Sequence, residues 1–100
     1  DNNTKVNEWI NRLQRERDRI TEELQNFSFV EKIYPSDANF LLIKVKNADD
    51  LYNFLIQKQI IVRNRSKIPL CFNCLRLTIG TEDENNALLK YFEEYNNLKN

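Results

Sequence analysis

The sequence predicts an α+β domain in which a long N-terminal helix leads into a mixed three- to four-stranded sheet, with helices on one face. Three patterns carry that class. Val6, Ile10, Leu13, Arg17, Ile20, Leu24 and Phe27 recur at steps of three and four, which places them on one face of a helix. Leu41, Ile43 and Val45, and later Leu75, Leu77 and Ile79, recur at steps of two, which places each trio on one face of a strand. Helix-start chemistry follows both trios, at Asn47 and at Thr81, since short polar side chains there can accept from free backbone N–H groups.

The first helix is expected from Asn2 to about Gln25. Arg17 interrupts its stripe, and the stem of that side chain can lie along apolar surface with its head in water. Like charges spaced as Arg15–Arg19 and Asp18–Glu22 oppose an isolated helix, so docking of the stripe has to hold it. Residues 26–37 connect, with a short extended piece near Val30 to Tyr34. Tyr34-Pro35-Ser36-Asp37 is a turn signal, because Pro35 disfavours helical backbone at Tyr34 and Ser36 and Asp37 favour turns.

Asn39 to Lys46 is the next strand, and Phe40 and Leu42 opposite the apolar trio imply cover on both sides at its start. Asn47 caps a helix from Ala48 to Lys58, with Asp49 and Asp50 at the favourable end of its dipole. Leu51, Tyr52, Phe54 and Leu55 form its buried face. Ile60-Ile61-Val62-Arg63-Asn64 reads as a β-branched strand, so strand, helix and strand make a short crossover whose pairing direction the pattern leaves open. Arg65 to Asn73 is a loop containing Pro69. The strand starting at Cys74 breaks at Gly80, and Thr81 with Glu84 forms a capping box. The last helix runs from Glu82 to about Leu98, with Leu88, Leu89, Phe92, Tyr95 and Leu98 inward.

A hundred residues support one domain with a modest core. It is taken as residues 1–100, with 1–27 as the leading helix and 28–100 as the sheet and its covering helices. The first residue is Asp1 rather than methionine, which reads as a piece of a longer chain. Fifteen basic and fifteen acidic residues cancel, so no global field steers the chain to nucleic acid or membrane. No apolar run approaches the ~20 residues of a membrane span. The absence of histidine removes Ser-His-Asp triads, Cys-His pairs and His-metal sites. The single glycine removes a Gly-rich phosphate loop. No catalytic residue and no metal ligand is therefore assigned.

Arg63 and Arg76 are the candidate binding residues. Each sits in a strand between apolar positions, and an isolated strand arginine is ordinarily just the solvated face. Two on neighbouring strands would mean more, since a planar five-donor fork suits carboxylate or phosphate. Cys71-x-x-Cys74 supplies two of the four ligands zinc needs and precedes a strand rather than opening a helix, so it reads as a pair of free thiols. Arg63, Arg65 and Lys67 near Phe40 and Phe72 could form a single-strand RNA platform, against which stands the zero net charge.

The order of motifs is more informative. Tyr34-Pro35-Ser36-Asp37-Ala38-Asn39-Phe40-Leu41-Leu42, Ile60-Ile61-Val62-Arg63-Asn64-Arg65, Cys74-Leu75-Arg76-Leu77-Thr78-Ile79-Gly80-Thr81 and Glu84-Asn85 together closely resemble the C-terminal small domain of the histidinol-phosphate aminotransferases, of the class I/II pyridoxal-phosphate aminotransferase family. The resemblance covers essentially the whole chain and is most specific over residues 33–92. It implies that Arg76 is the substrate-anion clamp and that Arg63 helps to bind the substrate's phosphate. It implies amino transfer between glutamate and imidazole-acetol phosphate in histidine biosynthesis, with histidinol phosphate and 2-oxoglutarate as the counterpart substrates. A cytoplasmic homodimer that binds neither nucleic acid nor membrane is the implied setting.

Pyridoxal phosphate would be bound by an absent large domain, because none of Lys5, Lys32, Lys44, Lys46, Lys58, Lys67, Lys90 or Lys99 lies in a cofactor-lysine context. The fragment alone is expected to be inactive. The alternatives are a related enzyme (threonine-phosphate decarboxylase or an aromatic aminotransferase) and a non-enzymatic RNA- or anion-binding module.

Overall fold

The computed structural model describes residues 2–34, 39–60, 62–65 and 72–99. The elements are α1 (Asn2–Leu24), β1 (Val30–Tyr34), β2 (Phe40–Val45), α2 (Ala48–Gln57), β3 (Arg63–Asn64), β4 (Cys74–Thr78) and α3 (Glu82–Lys99). The sheet has four strands in the order β1-β2-β4-β3. This is the expected α+β class with its long first helix. The turn at Pro35 to Asp37 and most of the loop around Pro69 lie outside the described residues.

One detail of the sheet is corrected. A mixed sheet was expected, yet β1–β2, β2–β4 and β3–β4 all pair antiparallel. The crossover through α2 does return β3 in the direction of β2. However, β4 is inserted between them, so every hydrogen-bonded neighbour runs the opposite way. The expected strand Ile60 to Asn64 is also shorter than its pattern. Ile60 donates its N–H to Leu55 O at 2.9 Å and Gln59 donates to Ile56 O at 2.9 Å, which closes α2 in a Schellman turn. Gln59 takes the left-handed backbone, φ 65, where glycine is usual. Ile60 thus belongs to the end of a helix, and β3 begins at Arg63.

The core lies between one face of the sheet and the three helices. Leu41, Ile43 and Val45 of β2 and Leu75 and Leu77 of β4 meet Ile20 and Leu24 of α1, Leu51 and Leu55 of α2, and Leu88 and Phe92 of α3, all buried. Phe29 stands at the junction, its ring centroid 5.6 Å from that of Phe92 and 4.9 Å from that of Tyr95. The two capping signals behave as expected. Asn47 Oδ1 accepts from Asp50 N at 3.1 Å, while Thr81 and Glu84 exchange bonds of 2.8 Å and 3.2 Å.

Two expectations about apolar faces need correction. The stripe of α1 is buried only at Ile20, Leu24 and, past the helix, Phe27; Val6 is 52% and Ile10 40% exposed, as is Trp9 at 60%. The reason is length, since a helix of 23 residues spans about 35 Å and overhangs the sheet. Leu98 was expected inward on α3 but is 70% exposed, because the helix outruns the core beyond Tyr95.

Candidate functional site

β4 is an interior strand, and its inner residues Leu75 and Leu77 are fully buried. That anchorage turns Arg76, between them, to the sheet face opposite the helices. The register then makes Arg63 the direct Cα partner of Arg76. Arg65 N donates to Cys74 O at 2.8 Å, and two residues along each strand this ladder makes Arg63–Arg76 a hydrogen-bonded pair as well. Such pairs hold Cα atoms about 5.5 Å apart with both side chains on one face. The structure thus brings the two predicted arginines together.

Leu42 is the partner of Arg76 on the other side, and Tyr34 the partner of Leu42. One row across the open face therefore reads Tyr34, Leu42, Arg76, Arg63. The next row reads Lys32, Lys44, Cys74, with Arg65 opposite Cys74. Basic side chains on this face face one another twice, at Lys32–Lys44 and at Arg63–Arg76. Like charges directly opposite on a sheet oppose pairing by roughly 0.2–1 kcal/mol each, so the arrangement is not what stability alone selects.

Arg63 is exposed and Arg76 half-buried. The Arg76 guanidinium carbon lies 5.0 Å from the centroid of the Phe40 ring. Its Nε is sealed from solvent and has no hydrogen-bond partner among the described residues. Leaving a buried donor unsatisfied costs about 1–3 kcal/mol. The chemistry on offer is recognition of a forked oxygen acceptor by charged donors.

Of the other nominated residues, Phe40 lies against Arg76 and Arg65 stands on the same face, one row along. Cys71 and Lys67 lie outside the described residues. Cys74 is buried, with its Sγ 3.8 Å from Phe72 O, and Phe72 is 67% exposed. Among the described residues, no group of three or more metal-ligating side chains could hold an ion, and no helix is long and apolar enough to cross a membrane.

The exit of β4 is locked by a residue that periodicity passes over. Asn85 is 1% exposed. Its Oδ1 accepts from Gly80 N at 2.9 Å, and its Nδ2 donates to Gly80 O at 3.1 Å and to Glu16 Oε1 at 3.0 Å. Glu16 also accepts two bonds from Arg19, at 3.0 Å and 2.9 Å. Those bonds, Arg19 first and Asn85 second, lower the Glu16 carboxyl from 4.5 to about 2. In the sequence Asn85 is one more polar residue near a helix start. The hints are its place four residues after the N-cap Thr81, in the first turns of a helix that must pack on β4, and its part in the Glu84-Asn85 motif of the resemblance.

Comparison with known proteins bears on the whole chain. The family model described as aminotransferase class I and II matches residues 1–92. A histidinol-phosphate aminotransferase of Flavobacterium psychrophilum is 52% identical over 84 residues, covering 84% of this chain and 24% of the relative. The crystal structure of the histidinol-phosphate aminotransferase from Clostridium acetobutylicum superposes with a TM-score of 0.79 at 28% identity, over 86% of this chain and 27% of that one. A decarboxylase from Sulfurospirillum multivorans superposes with a TM-score of 0.70 at 29% identity, over 81% of this chain and 24% of that one. The chain spans about a quarter of the length of the curated relatives it matches.

Proposed function

The chain belongs to the aminotransferase class I and II family, and on that premise we propose that it is the substrate-anion-binding small domain of a histidinol-phosphate aminotransferase. The single observation that carries the binding role is the register pairing of Arg63 with Arg76 on the open sheet face. Two guanidiniums held side by side against their own repulsion are stabilised when an anion comes between them.

In this reading Arg76 clamps the anionic end of the amino-group donor or acceptor, and Arg63 adds its charge to the phosphate of histidinol phosphate. Both substrates of the pair, glutamate and imidazole-acetol phosphate, are anions that a forked cation can hold by two bonds at once. Holding the remote anionic end fixes where the reacting amine or carbonyl lies, so binding energy there becomes orientation. These arginines bind and orient; no proton transfer is assigned to them.

The group implied by the family, pyridoxal phosphate, supplies an electron sink and a carrier for the amino group. The described residues do not fit it. Lys5, Lys32, Lys46, Lys58, Lys90 and Lys99 are exposed, and the half-buried Lys44 stands opposite Lys32 on the sheet. Asp50, a carboxylate that could face a ring nitrogen, is instead engaged by Tyr95 and Lys99 at 2.7 Å and 2.9 Å. The cofactor is therefore assigned to the remainder of a longer protein. Residues 1–27 would lead into residues 28–100 from that remainder, and the exposed Val6, Trp9 and Ile10 offer apolar surface for it. A cytoplasmic homodimer, with the fragment inactive alone, completes the proposal.

Likeness to a decarboxylase favours one rival, a related enzyme acting on another phosphorylated amino acid. Substrate profiling of the full-length protein separates the two. Arg76→Ala in that protein is expected to lower kcat/KM for histidinol phosphate by about 2–4 kcal/mol in transition-state terms. Unchanged kcat/KM would place Arg76 in the ordinary solvated face, and turnover confined to decarboxylation would establish the rival.

A further inference from the structure

The residue that aims Arg76 is on the neighbouring strand. Leu42 is the direct partner of Arg76, while Phe40, two residues earlier and on the same face, is the partner of Thr78. The contact between Arg76 and Phe40 is thus a diagonal one, within reach of a long side chain lying across an aromatic ring. The guanidinium carbon sits 5.0 Å from the Phe40 centroid, so the side chain leans toward the Phe40–Thr78 end of the face. It leans away from the Lys44–Cys74 row, where another cation stands.

Phe40 is half-buried, on the face turned away from the core. The inner face of β2 is supplied by Leu41, Ile43 and Val45, so Phe40 is not needed to fill the space between sheet and helices. A carboxylate in its place would also hold the guanidinium, but by neutralising its charge and occupying its donors. An aromatic face attracts a cation through its quadrupole and takes none of its N–H groups. The ring fixes position and leaves charge and donors free for oxygen.

From this geometry we infer that Phe40 is a positioning residue for anion recognition, holding the Arg76 guanidinium in place while leaving its charge and terminal N–H donors for the ligand. The inference rests on the reading of Arg76 as the anion clamp.

The test uses the full-length protein loaded with pyridoxal phosphate, with inorganic phosphate as a competitive inhibitor. Four proteins are compared: the parent, Arg76→Ala, Phe40→Leu and Phe40→Tyr. Phe40→Leu keeps an apolar side chain without a π face and is expected to raise the phosphate Ki by about three- to thirtyfold. KM for histidinol phosphate should rise in step, with kcat falling by less. Phe40→Tyr keeps the ring and should stay within about twofold of the parent.

An unchanged Ki in Phe40→Leu, beside a large loss in Arg76→Ala, overturns the role of Phe40 and leaves the clamp standing. An unchanged Ki in Arg76→Ala overturns the clamp and the positioning role with it. Equal losses in Phe40→Leu and Phe40→Tyr reduce Phe40 to packing. Should Phe40→Leu not fold, Phe40→Tyr alone decides, because a tyrosine that folds and loses phosphate contradicts the inference.

Discussion

Arg63 and Arg76 are direct partners across β3 and β4, with their side chains on the same open face of the sheet. Opposed like charges cost stability on a sheet, and on the proposed reading that cost is offset when an anion binds. Replacing the outer one, Arg63→Gln, should therefore raise Tm by about 1–5 °C without ligand. Adding phosphate should narrow the gap, because the parent gains more from the anion. Thermal unfolding followed by circular dichroism, with and without phosphate, checks both statements. A lower Tm in the variant would mean that Arg63 has a stabilising contact and is not held against repulsion.

Asn85 should be the most sensitive polar position among the described residues. Its amide pairs with both backbone groups of Gly80 and reaches Glu16 on α1, so it joins three elements from a position 1% exposed. Asn85→Ala takes the partner from both backbone groups of Gly80 and from Glu16, and is expected to cost about 1–3 kcal/mol. Urea unfolding measures this, with an unchanged m-value as the sign that only stability moved. A cost under about 0.5 kcal/mol, the range of ordinary surface changes, would show that solvent replaces the amide freely.

The carboxyl of Glu16 carries a pH dependence of known sign. Bonds from Arg19 and then Asn85 depress its pKa from 4.5 to about 2, so the folded state favours the ionised form. Its contribution is complete above about pH 4.5 and disappears as pH falls toward 2. Side-chain exposure is 14% for Glu16 and 36% for Arg19, so solvent screens the pair and the effect is on the order of 1 kcal/mol. The stability difference between the parent and Glu16→Gln should shrink from pH 5 to pH 2. A gap that stays constant across that range would assign Glu16 a packing role.

How much of this was legible in the sequence depends on which forces are local. The alternation around Arg76 puts it opposite the apolar trio whatever the rest of the chain does, and the caps at Asn47 and Thr81 act within one helical turn. The pairing of Arg63 with Arg76 is another matter. It depends on register, which the connection across residues 65–73 and packing on both faces decide together. Ile60 misled because a β-branched run can serve a helix end as well as a strand. Val6 and Ile10 misled because periodicity reports a face and not what covers it. Asn85 gave almost no signal, since its partners Glu16 and Gly80 are set by tertiary contact.

The pair Gly80 and Glu84 yields a prediction in which the cost of one substitution depends on the other. Gly80 does not need positive φ, as no glycine in the described chain adopts it. What it needs is space, because a Cβ there would lie 2.6 Å from Glu84 Oε1 and 3.2 Å from Glu84 Cβ. That carboxylate is folded back to accept from Thr81 N at 2.8 Å, so Gly80 is small in order to admit the capping box. Gly80→Ala should displace the glutamate and cost about 0.5–2 kcal/mol, the range for losing a cap. Once Glu84→Ala has removed the carboxylate, the same Gly80→Ala change meets only the Cβ of residue 84, at 3.2 Å. Its cost should then fall well below that in the parent, because the remaining contact needs only a small shift and the unfolded chain is restricted as well. A double-mutant cycle by urea unfolding measures the coupling. Equal costs for Gly80→Ala in both backgrounds would separate the glycine from the cap and assign its conservation of space to the Asn85 bonds instead.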